Sequence, residues 1–235
     1  AEMKSFDRGG IAVVFGASGG IGHALKKHLE ASLSFDQVIG LSRQSFPAFD
    51  LLDEASIEAA ASYLSDLSEI RLIIDATGFL HDDDQNPEKS LRELDADKLL
   101  RAFALNAIGP SLIMKHLLPK LPREGKAVFA TLSARVGSIG DNQLGGWYGY
   151  RASKAALNQL LRTASVEIRR RRPDAICVAL HPGTVDTGLS SPFSKDGLRV
   201  QPANEAASRL IAVIEGLESQ HHGGFFDHMG KKIDW

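Results

Sequence analysis

In the run Gly146-Trp147-Tyr148-Gly149-Tyr150-Arg151-Ala152-Ser153-Lys154 a phenol and an amine stand four positions apart. Positions i and i+4 are neighbours on a helical surface, so a helix opening at Tyr150 carries Lys154 one turn along on the same face. A phenol titrates near pH ~10 and is a poor acid or base at neutrality unless a fixed cation favours the phenolate. Lys154 is the candidate cation. Tyr148 competes for the role, but its neighbour four positions on is Ala152 and offers no amine. The spacing therefore selects Tyr150 as a proton-transfer group. A hydroxyl that could share its target is Ser133, which has no histidine beside it in sequence and reads as a hydrogen-bond donor to substrate rather than a nucleophile.

These groups need a scaffold, and the chain predicts one. Ile11-Ala12-Val13-Val14-Phe15 is a continuous apolar run rich in β-branched residues, as for a strand buried on both faces of a parallel sheet. Gly16-Ala17-Ser18-Gly19-Gly20-Ile21-Gly22 follows, and Ile21, Leu25, Leu29 and Leu33 then recur every four residues as in an amphipathic helix. Strand, glycine turn and helix in that order form a dinucleotide cradle. Gly16, Gly20 and Gly22 permit a tight turn, and with Ser18, Gly19 and Ile21 they bring a pyrophosphate to main-chain N–H groups at the positive end of the helix.

Further strands are predicted at 37–41, briefly before Asp50, and at 72–76, 127–132 and 176–180, with a last one at Phe225-Phe226. That makes about seven in a doubly wound α/β sheet of Rossmann type. Past the second strand come Ser42 and Arg43, at the place where an acidic residue would accept from a ribose hydroxyl and an arginine would accommodate a 2′-phosphate. Arg43 predicts NADP(H) over NAD(H). Asp50 and Leu51 fall where adenine would be edged, and Ala76, Thr77 and Gly78 where a ligand crosses the carboxyl ends of the strands. Asn106 interrupts an apolar helix over 99–118 just before Gly109-Pro110, where a bend could free a carbonyl and let Asn106 hold a water.

Composition sets the outer limits. With 235 residues, 43% apolar and 24% charged, the chain fits one globular domain over 1–235, with 1–10 as an N-terminal extension. A net charge of −2 gives no reason to expect a nucleic-acid or anionic-membrane partner. Arg169 to Arg172 before Pro173 reads as a helix end, and Asp82 to Asp84 as a solvated loop. A single cysteine, Cys177, suits a reducing, cytoplasmic setting, and no apolar run reaches the ~18 residues of a membrane span. His221, His222 and His228 lack metal-ligand spacing, so no metal site is expected. His181, before Pro182, is expected to satisfy local backbone groups. Residues 184–200, irregular and partly apolar, predict a substrate lid.

From Ile11 onward the chain resembles the short-chain dehydrogenase/reductase family, through Gly16-x-x-x-Gly20-x-Gly22, Asn106, Ser133, Tyr150-x-x-x-Lys154 and Pro182-Gly183 in order. The runs 137–142 and 145–158, and His-Pro-Gly-Thr-Val-Asp-Thr at 181–187, are similar to a bacterial C-factor-like subgroup. The resemblance implies an NADP-dependent oxidoreductase for a carbonyl or secondary alcohol, assembled as a homodimer or homotetramer. By it Tyr150 would exchange the proton and Ser133 would bind the same oxygen. Lys154 would bind the nicotinamide ribose and lower the phenol pKa, Asn106 would keep a relay water, and Pro182, Gly183 and Thr184 would border the cofactor. It also implies an alternative, a signalling or dinucleotide-sensing protein in which binding matters more than turnover. The chain departs from the family pattern at Asp75-Ala76-Thr77-Gly78, where Asn-Asn-Ala-Gly is frequent, and at Phe15, where threonine is common. The 17 positions from Ser133 to Tyr150 exceed the family's usual loop.

Overall fold

A computed structural model describes residues 2–187 and 200–235. Its centre is a six-stranded parallel sheet. The strands are β1 (Ile11–Phe15), β2 (Gln37–Leu41), β3 (Ile70–Asp75), β4 (Ala127–Leu132), β5 (Ala175–His181) and β8 (Phe225–Asp227), in spatial order β2-β1-β3-β4-β5-β8. Alternate residues of each strand point to opposite faces. Val13, Phe15, Ile73, Phe129 and Cys177 enter one core with α2 (Glu54–Leu67), α4 (Gly109–Leu117) and α5 (Tyr148–Ile168). Ala12, Val14, Leu72, Ile74 and Val178 enter the other, with α1 (Gly20–Ser32) and α6 (Ala203–Glu215). Both faces being covered explains why the strand sequences run apolar without alternation.

The chain leaves β1 toward β2 on one side and returns to β3 on the other, so a crevice opens between the carboxyl ends of β1 and β3. The two ends nearly touch: a Cβ on Gly16, whose φ is +78°, would lie 3.1 Å from the Ala76 carbonyl.

Several predicted elements differ. The brief strand expected before Asp50 does not form, so the sheet has six strands rather than seven. Residues 42–49 close on themselves instead. Phe49 N donates to Ser42 O, Ser45 Oγ to Pro47 O, and Pro47 has no N–H for a ladder. Helix α5 starts at Tyr148 rather than Tyr150. Gly145, Gly146 and Trp147 all have positive φ, and this left-handed run delivers the chain into the helix.

The apolar helix expected over 99–118 is α3 (Ala96–Phe103) and α4 joined by a wider π-helical turn over Ala104–Ile108. Pro110 explains the join, since it has no N–H for the Asn106 carbonyl four residues earlier. Residues 188–199 of the predicted lid lie outside the described residues. At its ends, β6 (Val185–Asp186) pairs with β7 (Gln201–Pro202). The N-terminal extension contributes to the core through Met3 and Phe6, the latter edge-on to Phe35 at 5.5 Å. No described helix is long and apolar enough to cross a membrane.

Candidate active site

Above the crevice a cavity of about 200 Å³ is lined by Ile21 of α1, Leu80, Ser133 and Ala134 after β4, Trp147 just before α5, Tyr150 of α5, His181 at the end of β5 and Pro182 to Val185 beyond it. It thus brings together Tyr150, Ser133, Ile21, Pro182, Gly183 and Thr184 from four separate stretches of sequence. Lys154 lies behind Tyr150, fully buried, with Nζ 5.8 Å from the phenol ring centroid. Nζ donates to Leu132 O at 3.0 Å, so the strand that ends at Ser133 also anchors the ammonium. A Cβ on Gly78 would stand 3.5 Å from Nζ and 3.9 Å from Asn106 Oδ1, which fixes the β3 exit loop against both groups.

The electrostatics reverse one expectation. Burial pushes the Tyr150 phenol up to about 12. Burial also pulls Lys154 down to about 8, with the Asp75 charge acting the other way. The cation expected to depress the phenol is itself desolvated, and it spends a hydrogen bond on a carbonyl rather than on the phenol. At neutral pH the phenol therefore keeps its proton.

Asp75, in a position the family often fills with asparagine, is buried under this cluster. Its carboxylate accepts from Thr77 N at 3.0 Å, Thr77 Oγ1 at 2.5 Å and Thr131 Oγ1 at 2.8 Å. Burial still raises its pKa, more than those bonds and Lys154 lower it.

Asn106 is wholly buried and is occupied by protein. Oδ1 accepts from Phe79 N at 2.8 Å, and Nδ2 donates to Phe79 O at 2.7 Å and to Ser153 Oγ at 3.1 Å. The side chain reproduces a strand partner for residue 79, with both Nδ2 hydrogens engaged and one lone pair of Oδ1 left over. Ser133 Oγ donates to Asn158 Oδ1 at 2.6 Å and makes no hydrogen bond to Tyr150. His181 Nδ1 accepts from Arg135 N at 3.1 Å, the local backbone role expected of it.

The glycine turn is held from within. A Cβ on Gly22 would fall 2.1 Å from Gly16 O, while Ser18, Gly19 and Gly20 are exposed at the rim. Helix α1 has no side-chain cap and no acidic residue in its first turn, which leaves its first N–H groups and positive pole to a ligand. The remaining predicted contacts lie outside the cavity, along the β2 side of the crevice. Arg43 is exposed and no described residue pairs with its guanidinium. Ser42 takes part in the 42–49 loop, and Asp50 Oδ1 accepts from Leu52 N. Leu51 is wedged under α4, where a Cβ on Gly109 would meet its Cγ at 2.4 Å.

One contributor was missed from sequence. Glu88 is buried, accepts from Gly149 N through Oε2 at 3.0 Å and from Trp147 N through its carbonyl at 2.5 Å. It thereby satisfies open N–H groups at the start of α5, and its charge suits that helix pole. No local pattern announces a cap 61 residues upstream.

A family model described as enoyl-(acyl carrier protein) reductase matches residues 16–215. The chain belongs to the short-chain dehydrogenase/reductase family. As a short-chain dehydrogenase/reductase it is an oxidoreductase, and its relatives carry such names. It is 30% identical to 1-hydroxy-2-glutathionyl-2-methyl-3-butene dehydrogenase of Rhodococcus sp. (strain AD45), over 95% of this chain and 98% of that protein. To the C-signal of Myxococcus xanthus it is 35% identical over 147 residues, 62% of this chain and 84% of that protein. The NADPH-bound carbonyl reductase from chicken fatty liver superposes with a TM-score of 0.85 at 25% identity, covering 99% of this chain and 97% of that one.

Proposed function

We propose that this short-chain dehydrogenase/reductase uses NADP(H) to interconvert a carbonyl and a secondary alcohol, with Tyr150 as general acid in reduction and general base in oxidation. The observation that carries the reading is the shared cavity: the phenol, the end of β4 and the first turn of α1 face one space about 200 Å³ in size.

The residues fit the cofactor. Gly16 to Gly22 and the uncapped start of α1 would hold the pyrophosphate, and the unpaired Arg43 would take the 2′-phosphate. Ser42, Asp50, Leu51 and Ala76 to Gly78 would contact the adenosine half, and Lys154 would hold the nicotinamide ribose. Pro182 to Thr184 would border the ring. Bound there, a reduced nicotinamide would supply the hydride for the carbonyl carbon. Tyr150, protonated at neutral pH, gives its proton to the carbonyl oxygen, and Ser133 hydrogen-bonds that oxygen. A water near Asn106 would be held by its main-chain carbonyl, which Pro110 cannot serve, or by the remaining lone pair of Oδ1. General acid help of this kind contributes about 10² to 10⁴ in rate.

The test is NADPH consumption at 340 nm with a panel of ketones and aldehydes. The parent turns over and Tyr150→Phe does not; a Tyr150→Phe enzyme as fast as the parent ends the reading. We also propose a homodimer or homotetramer, which sedimentation velocity checks.

The C-signal likeness favours a second reading, a signalling protein in which dinucleotide binding is what counts. A phenotype that survives Tyr150→Phe but is lost in Gly20→Trp, where even a Cβ meets Thr187 at 3.0 Å, would select it.

A further inference from the structure

Ser133 stands between two cavities. It lines the one that holds Tyr150, yet its hydrogen bond runs the other way, to Asn158, which lines a separate space of about 170 Å³ beside Gly137 and Trp235. Both residues are buried, at 4% and 3% exposure. In this arrangement the hydroxyl proton is committed to Asn158 Oδ1, and Asn158 Nδ2 is shielded from water without any partner. A buried donor left unpaired costs about 1–3 kcal/mol.

The opposite orientation of the same amide lowers that cost. Turned by half a revolution, Nδ2 donates to Ser133 Oγ and the orphan becomes a carbonyl oxygen, which proteins tolerate more readily than an unpaired N–H. The 2.6 Å contact then relaxes by a few tenths of an ångström to an ordinary N–H···O length. The serine proton is released from Asn158 and is free to point into the Tyr150 cavity. A carbonyl oxygen bound there interacts only with the released form, so it selects that orientation.

The sequence supports the placement. Asn158 follows Lys154 by four residues and Tyr150 by eight, so one face of α5 carries phenol, ammonium and amide in succession.

We propose that Asn158 is a positioning residue that sets the direction of the Ser133 proton, making the serine a donor to substrate when Nδ2 faces it. The inference rests on the oxidoreductase reading above. Asn158→Asp keeps the shape but, ionised, can only accept, so it holds the serine proton away from substrate. With NADPH and 4-nitrobenzaldehyde, Asn158→Asp lowers kcat about tenfold to hundredfold at nearly constant KM, in line with the loss of one transition-state donor. Ser133→Ala lowers it by a similar factor, and the double variant is no slower than Ser133→Ala alone. The Tm drop caused by Asn158→Asp persists in both backgrounds, which separates positioning from a purely structural role.

Should Asn158→Asp not fold, Asn158→Leu carries the same cycle, with a several-fold kcat loss that disappears beside Ser133→Ala. Losses that multiply, or a parent-like kcat in Ser133→Ala or in the Asn158 variants, overturn the inference while a dead Tyr150→Phe still upholds the reading beneath it. A parent that oxidises no NADPH overturns both.

Discussion

Reduction by this enzyme should lose rate as pH rises through about 8, with Lys154 rather than Tyr150 as the titrating group. A lysine in water titrates near ~10.4, but burial pulls this one down to about 8, against the raising effect of Asp75. Tyr150 is pushed to about 12 and stays protonated throughout the range. In the proposed mechanism the charged ammonium is the form that holds a ribose and steadies negative charge at the phenol, and it exists below its folded pKa. About nine-tenths of molecules carry it at pH 7 and about one-tenth at pH 9, so kcat/KM for NADPH should fall about tenfold between them.

Asp75→Asn sharpens the test. The amide can still accept from Thr77 and can donate to Thr131 Oγ1, while the charge that supports Lys154 is gone. The basic limb should then move below 8. Stability gives a second view with its own sign. The unfolded chain binds more protons at this lysine than the folded one between about 8 and 10.5, so Lys154 makes stability rise with pH across that window, by about 3 kcal/mol in all. Initial rates over pH 6 to 10 and urea titrations on the same samples measure both. A parent limb at pH 10 or above, or an unchanged limb in Asp75→Asn, refutes the argument.

Three further outcomes follow from single contacts. Arg43→Asp should weaken NADPH by about tenfold to hundredfold while leaving or improving NADH, as read by calorimetry; equal losses for both would remove Arg43 from the 2′-phosphate. Asn106→Leu leaves Phe79 N and O without their partners and should lower unfolding free energy by about 3 kcal/mol in urea, whereas a loss under about 1 kcal/mol would mean that other groups serve residue 79. Gly22→Ala places a methyl 2.1 Å from Gly16 O, a backbone atom that cannot step aside, so NADPH binding should be abolished; retained affinity would show that the turn is not the cradle.

Much of this molecule was legible in order along the chain because its central strands are buried on both sides and read as short apolar runs. The same logic failed before Asp50, where the chain satisfies itself through Ser42 and Ser45 and no ladder is needed. Tyr150, Lys154 and the glycine turn were legible because their meaning lies in spacing within one element. What sequence could not give was the balance of opposing terms. A cation one turn from a phenol predicts a lowered phenol pKa, but burial of both groups reverses the result. Nor could it give partners from distant segments. Leu51 is under Gly109, Asn106 is spent on Phe79, and Ser133 faces Asn158, none of which follows from local pattern.

Glu88 makes the segment after β3 and the opening of α5 one mechanical piece, since both its backbone and its carboxylate grip the turn that presents Tyr150. Anyone redesigning that segment to admit a bulkier substrate would also be moving the Tyr150 phenol. Libraries in this region should therefore vary Leu80 and its neighbours with Glu88 held constant, and a graft of the Tyr150 helix onto another scaffold should bring its distant carboxylate along.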